Sequence, residues 1–592
     1  MNTRKTSQPL LPVKQATTNI EKGSYNLFPT HELGNGKIFN GYASLADWII
    51  LQKAVLIDGY QGVLFDDIYT HIQIEFAERG ILANWHFAAD YLKPETEVNE
   101  LVRPYMGEDS SVWGFKTDLN IKDFFKEEIE TVTVDLEYVV NIVIGLGAAL
   151  AGWDVPVLYC DVPKNEIQYR MRAGAAFNIG SSSIFSDAKM YKRAYFVDWV
   201  VCDRYRNDLL SNVNVVADAQ RAGEITWMYQ QDLIAGLKEM ANSVFRVRPW
   251  FEKGSWGGQW MKAHIPVLNQ EEVNYAWSFE LITPENGLVF ASDGALLEVS
   301  FDFLMLYEYQ AVIGKHAALF GPYFPIRFDF LDTFNGGNLS IQCHPSKTYI
   351  KEQFGESITQ DETYYILDAT PDAKVYLGFQ DDINPDEFRA ALEESQQRNE
   401  PLAVDRYVQS FPSNKHDLFL IPNGTVHSSG VNNMVLEISA TPYIFTFKMY
   451  DWLSLDLNGQ PRPINIAHAF NNLRFERKGD VVREKHISKP AVIGSGADWE
   501  LIHLPTHEDH FYDVHRLEFD THVEVLTNDS CHVLMLVEGN YVTLKIEGLK
   551  PVTFAYAETF VVPAATQKYT LINEDETRAK VIKSFIKDET KL

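Results

Sequence analysis

The chain has 592 residues, of which 46% are hydrophobic and 22% charged, and a formal net charge of −29 at pH 7. That length exceeds a single hydrophobic core and implies about two to four domains. So acidic a composition argues against nucleic acid or an anionic membrane as the main partner, while a local Lys/Arg cluster could still hold a small phosphorylated molecule. The cysteines, Cys160, Cys202, Cys343 and Cys531, are scattered without a C-x-x-C pair. A disulfide framework is therefore not expected, and a reducing cytoplasm fits. Met1-Asn2-Thr3-Arg4-Lys5 leads into a polar stretch, so no secretory signal is expected. No run of about 18 apolar residues suggests a membrane span. No motif decides between a monomer and a homo-oligomer.

Residues 1–22 are polar and read as a flexible tail. From 23 to 240, short apolar strands alternate with helical segments. Ala54-Val55-Leu56-Ile57-Asp58-Gly59, Val139 to Gly145 and Val155 to Asp161 are the clearest strands. Strands separated by helices imply an α/β layer with a parallel sheet. Near Trp256-Gly257-Gly258 the texture changes to many short strands with Gly, Pro, Asn and Asp turns, the pattern of a β-sandwich or jelly roll. This β region spans 241–480, with one short helical insert near 385–397. Residues 481–592 are again strand-rich, as in Val533 to Gly539 and Glu558 to Ala564, and read as a second, smaller β domain without an obvious ligand cluster.

Within the first β region, Gln342 and His344 stand two apart in Leu339-Ser340-Ile341-Gln342-Cys343-His344. On a strand, residues two apart share a face. Glu362 precedes the strand-like run Tyr364-Tyr365-Ile366-Leu367, and His427 follows the turn Pro422-Asn423-Gly424-Thr425-Val426. One amide oxygen, two imidazoles and a carboxylate can make a shell for a divalent ion, zinc or iron with open positions.

These segments carry a resemblance. Gly336 to Pro345 with its Q-x-H, Asp361 to Leu367, Ile421 to Gly430 with its P-x-G-x-x-H, Leu436-Glu437-Ile438 and Phe447-Lys448-Met449-Tyr450-Asp451-Trp452 follow in order. The chain from about 245 to 592 thereby resembles the class I, metal-dependent mannose-6-phosphate isomerases. The resemblance implies cupin (jelly-roll) barrels, one Zn²⁺ held by Gln342, His344, Glu362 and His427, and a phosphorylated sugar as substrate. It implies interconversion of mannose 6-phosphate and fructose 6-phosphate through an enediol. Lys415, Arg327 and Lys448 are the cationic candidates for phosphate and oxyanion. The family commonly has Lys at the position of Arg327 and Arg at that of Lys448, an exchange that keeps charge but alters geometry. Glu437, in an apolar strand, is expected to face inward, behind the metal or against Lys448. Trp256-Gly257-Gly258 resembles the family's W-G-G motif and reads as a structural turn. No residue is singled out as the base.

The segment 23–240 lies outside that family. Leu56 to Val63 sits where a phosphate loop would follow a first strand, yet lacks G-x-x-x-x-G-K-[ST]. With Asp161, Arg170, Arg172, Lys192, Arg193 and Asp198 downstream, it resembles a P-loop nucleoside-kinase-type domain whose nucleotide chemistry is lost; an unrelated α/β domain is the alternative. For the whole chain, a sugar-phosphate sensor that kept the pocket, or another cupin metalloenzyme such as an iron oxygenase, stand beside the isomerase.

Overall fold

The computed structural model describes residues 3–15, 21–109, 111–183, 185–457 and 459–590. The chain divides into two units, the first made of Met1–Asn19, Thr30–Glu239 and Pro284–Tyr307, the second of Ile20–Pro29, Met240–Thr283 and Glu308–Leu592.

In the first unit, β1 (Ala54–Gly59) is buried along its whole length, as its unbroken apolar run requires of a strand covered on both faces. Around it lie β2 (Ala83–Phe87), β3 (Val140–Ile144), β4 (Val157–Asp161), β5 (Val213–Asp218) and β6 (Thr226–Tyr229). The sheet order is β2-β3-β1-β4-β5-β6, closed at one edge by Phe39–Asn40. The first five strands are parallel and β6 is antiparallel. Helix α1 (Phe65–Glu78) follows β1 and buries Ile68, Ile72 and Phe76, one stripe at a spacing of four.

Two features of this unit differ from the sequence reading. Residues 3–15 are not loose: Arg4 pairs with Glu166 at 2.7 Å and Leu11 is fully buried. The rest of the expected tail within this unit, 1–2 and 16–19, lies outside the described residues, as does residue 20. Residues 284–307, expected in the β region, belong here instead. Gly287–Ser292 and Ala295–Ser300 form a hairpin that pairs in parallel with Thr30–Glu32. Asp293 and Gly294 at its tip both have positive φ, 50° and 79°, as a two-residue hairpin loop demands. Asp161 and Asp218, at the ends of β4 and β5, accept the backbone N–H groups of Ser300 and Glu298 and so anchor the hairpin.

The second unit holds two successive β-barrels. The first sets a six-stranded antiparallel sheet against a five-stranded one. The six-stranded sheet contains β7 (Ile326–Asp332), β9 (Glu362–Ala369), β10 (Leu418–Ile421) and β12 (Asn433–Ala440), in the order β10-β9-β12-β7, then Trp277–Leu281 and Trp250–Glu252. The five-stranded sheet contains β8 (Ile341–Cys343), β11 (His427–Ser429) and β13 (Phe447–Tyr450), in the order Val408–Pro412, Lys374–Phe379, β11, β8, β13. Leu331, Tyr364, Ile366, Val375, Leu377, Phe419 and Val435 pack between the sheets and make the core. The insert forms helix α2 (Pro385–Arg398), with Pro385 at its first position and the Asn384 side chain capping the N–H groups of Asp386 and Glu387. The W-G-G segment is a packing turn: a Cβ on Gly258 would stand 2.0 Å from Asp332 Oδ1.

The second barrel pairs β14 (Trp499–Leu504), β15 (Tyr512–Phe519), β17 (Ala579–Ile586) and β16 (His532–Glu538), in that order, between Ala491–Ser495 and Thr559–Val562. A four-stranded sheet faces them, and Leu517, Phe519, Leu534, Val542, Leu571 and Val581 fill the space between. Tyr512 donates to the Ile438 carbonyl at 2.6 Å, tying this barrel to β12. Among the described residues no helix is long and apolar enough to cross a membrane. All four cysteines are free and buried.

Candidate metal centre

Local backbone chemistry brings the four expected ligands together. After β10, Pro422 to Thr425 turns the chain. Gly424 sits at φ 77°, and a Cβ there would meet the Asn472 carbonyl at 2.5 Å, so glycine is required twice over. The Gly424 N–H donates to the carbonyl of His344 at 2.9 Å, which joins the turn to the other half of the centre. His427 then opens β11 directly across from Gln342 on β8. His344 lies one residue beyond β8, where Pro345 ends the strand. Glu362 is the first residue of β9 rather than preceding the strand, and it reaches the centre from the facing sheet.

The ligand atoms of His344, Glu362 and His427 lie within 4.8 Å of one another, all buried. His344 Nε2 is 3.1 Å from Glu362 Oε2, and His427 Nε2 is 2.8 Å from Glu362 Oε1. Gln342 Nε2 stands 3.2 Å from His427 Nε2 while its Oε1 accepts the Ser340 hydroxyl at 2.8 Å; turning the amide over would bring the oxygen to the centre and leave Ser340 an amide donor. Each imidazole spends its Nδ1–H on a backbone carbonyl, His344 on Phe445 at 3.0 Å and His427 on Thr425 at 2.9 Å. In the neutral ring both Nε2 atoms then carry lone pairs turned toward carboxylate oxygens. His344 Nε2 and Glu362 Oε1 accordingly have no aligned hydrogen bond although both are buried. Donor atoms crowded lone pair to lone pair call for a cation between them, and this set suits zinc.

Behind this centre the six-stranded sheet carries a plane of charge. Arg327, Ser439 and Glu362 are in register across β7, β12 and β9, and Asp329, Glu437 and Tyr364 form the next row. Arg327 is 2% exposed; its Nε donates to Asp329 at 3.0 Å and its Nη2 pairs with Glu437. Burial, helped by the charge of Glu362 and opposed by Arg327, pushes Asp329 up to about 7. Asp329, Tyr364 and Gln360 were not singled out in the sequence, although their two-residue spacing from Arg327 and Glu362 already put them on the same face. Gln360 donates to Glu362 Oε2 at 3.2 Å, and the Tyr364 hydroxyl is buried beside the same carboxylate.

The other candidates separate. Lys448 is in register with Gln342 on β13, half-buried, with no carboxylate in ion-pair distance among the described residues. Burial lowers its amine to about 8, with Arg462 adding to the effect and Asp451 opposing it. Glu437 faces inward as expected, but its partner is Arg327 rather than Lys448. Lys415 is not brought to the centre. It precedes β10 at the end where Leu418 pairs with Tyr365, whereas Glu362 pairs with Ile421 at the other end. Three residues of strand place it about 10 Å or more away. Its amine instead faces Glu538 at 3.7 Å, beside His416 and Lys580.

Fold and site together define a β-barrel with two buried histidines and a carboxylate, beside a glutamine, that could hold a metal ion. The chain is similar over 239 residues to the mannose-6-phosphate isomerase of Streptococcus mutans, at 25% identity, covering 40% of this chain and 68% of that one. Mannose-6-phosphate isomerase ManA of Bacillus subtilis is likewise 25% identical over 222 residues, 38% of this chain and 65% of its own length. A crystal structure of a Bacillus subtilis mannose 6-phosphate isomerase aligns with a TM-score of 0.48 and 18% identity, over 58% of this chain and 99% of that one. Residues 41–242 match a family model described as a domain of unknown function, DUF8485.

Proposed function

We propose that the first barrel is a cupin-type, zinc-dependent aldose–ketose isomerase acting on mannose 6-phosphate and fructose 6-phosphate. The observation that carries this reading is the convergence of His344, Glu362 and His427 with their lone pairs facing inward, and the Gln342 amide beside His427. The relatives, which are named for that reaction, supply the substrate. Bound zinc would supply Lewis-acid stabilisation of negative charge on sugar oxygens as the proton moves between C2 and C1 through an enediol. Lys448, in line with Gln342 and without an ion-pair partner among the described residues, is a cation available to the phosphate or the oxyanion. Arg327 has both carboxylates of the next row, Asp329 and Glu437, as partners, so we assign it a positioning role: it holds the charged wall behind Glu362. The test is a coupled assay for fructose 6-phosphate formed from mannose 6-phosphate by the zinc-loaded chain. Turnover supports the proposal; binding of the sugar phosphate without turnover contradicts it.

The first unit is proposed to be a kinase-like domain without nucleotide chemistry. Asp58, at the end of β1, accepts the N–H groups of Gly59, Gly147 and Ala149 and the Tyr205 hydroxyl. An internal carboxylate thus takes the backbone donors of the loops at this strand end and repels a phosphate there. Calorimetry with Mg-ATP is expected to show no binding; a saturable heat would refute this assignment.

A further inference from the structure

The second barrel has a polar chamber at one end of its interior face. His503, His515, Lys583 and Leu534 are in register across β14, β15, β17 and β16. The next row toward one end holds Asp513, Phe585 and His532, and the row toward the other holds Leu501, Leu517, Val581 and Leu536. Since Leu517, Val581, Leu534 and Leu536 belong to the core between the two sheets, the histidines and Asp513 share that inward face. The barrel interior is therefore apolar along most of its length and turns to imidazole and carboxylate where the strands end.

One ligand atom each from His503, Asp513 and His515 lies within 4.8 Å of the other two. His503 Nε2 stands 2.9 Å from Asp513 Oδ2, and a simple ion pair would need nothing more. His515 is not explained by such a pair: its Nδ1 is buried and has no hydrogen-bond partner among the described residues. A buried ring nitrogen left unpaired carries a desolvation cost that a ligand bond removes. Asp513 is also held in place, its Oδ1 accepting the Val514 N–H at 3.0 Å and the Thr506 hydroxyl at 3.4 Å. Lys583, next to His515 in the row, forms no ion pair with Asp513 among the described residues. The His503 and Asp513 side chains keep 30% and 18% of their surface exposed, which leaves an entry path from solvent.

We infer that His503, Asp513 and His515 form a second metal site, taking a divalent first-row transition ion through two imidazoles and one carboxylate. Three protein ligands leave coordination positions open to water or a small anion. Rigid strands and in-register pairing hold the donors in place before any ion arrives.

The test is metal binding by the full chain, stripped with chelator, titrated with Zn²⁺ by calorimetry and counted by elemental analysis after gel filtration. Two equivalents per chain are expected in the wild type. His515→Ala and the milder Asp513→Asn should each bind one, with the first barrel's equivalent intact and circular dichroism unchanged. His427→Ala should also bind one, and His427→Ala/His515→Ala none. A wild type with one equivalent that His515→Ala abolishes and His427→Ala spares would support this site while removing the proposed centre of the first barrel. Equal stoichiometry in wild type, His515→Ala and Asp513→Asn would overturn the second site.

Discussion

Replacing Arg327 tests how the charged wall behind the centre is held. The guanidinium is buried and bridges Asp329 and Glu437, which lie opposite one another on β7 and β12, with Glu362 two strands away in its own row. Arg327→Met keeps much of the side-chain volume but strands two carboxylates in a buried sheet face. Removing one partner of a buried pair costs about 3–5 kcal/mol. For a unit this large the loss lowers its Tm by roughly 4–7 °C. The loss should depend on pH with a definite sign. Asp329 already titrates near 7 because of burial and Glu362, with Arg327 pulling it down. Without the arginine its folded-state affinity for a proton rises further above that of the unfolded chain. Stability of the variant therefore falls more steeply than that of wild type as pH rises from 5.5 to 8. Arg327→Lys retains the charge but not the two-pronged fork, and should lie between wild type and Met. Differential scanning calorimetry on the three proteins at both pH values measures this. A Met variant within about 1 kcal/mol of wild type at pH 8, or one less perturbed at pH 8 than at pH 5.5, would refute the reasoning.

Lys448→Met should lower kcat/KM for mannose 6-phosphate by about 100-fold, in steady-state coupled assays, through loss of a cation at the site. Because the Lys448 amine is held near 8 by burial and Arg462, against Asp451, it is charged below that pH. Wild-type kcat/KM should thus decline through pH 8, and Lys448→Arg should move that limb upward. Lys415→Ala should leave kcat/KM within about twofold, since its amine faces Glu538. Asp58 is raised to about 6, chiefly by burial, with the Tyr205 and backbone hydrogen bonds opposing. Its folded pKa lies above the unfolded value, so the first unit should lose up to roughly 3 kcal/mol as pH rises from about 4 to about 6. Hydrogen exchange of the β1 amides should show a shallower slope in Asp58→Asn.

Much of the first barrel was legible because its chemistry is local. The P-x-G-x-x-H turn encodes its own geometry: Gly424 permits the positive φ, and His427 follows at a fixed offset. Period-two spacing put Gln342 and His344 on one face before any fold was known. The partnership of Glu437 with Arg327 instead of Lys448 depends on which strands become neighbours, and β7 and β12 are about a hundred residues apart in sequence. Lys415 failed for a similar reason: nearness to His427 in the chain says little when β10 and a turn intervene. The hairpin 287–300 carries a strand pattern typical of the β region, and its parallel pairing with Thr30–Glu32 and its anchors on Asp161 and Asp218 assign it to the first unit. The cluster of His503, Asp513 and His515 is not legible in the sequence because it forms from two strands with no motif between them.

The central claim is that Gln342, His344, Glu362 and His427 hold the zinc on which isomerisation depends. Chelator-stripped chain should show no formation of fructose 6-phosphate, and adding Zn²⁺ back should restore turnover in proportion to the equivalent that His427→Ala fails to bind. Full turnover in stripped protein, or an active His427→Ala, would contradict it.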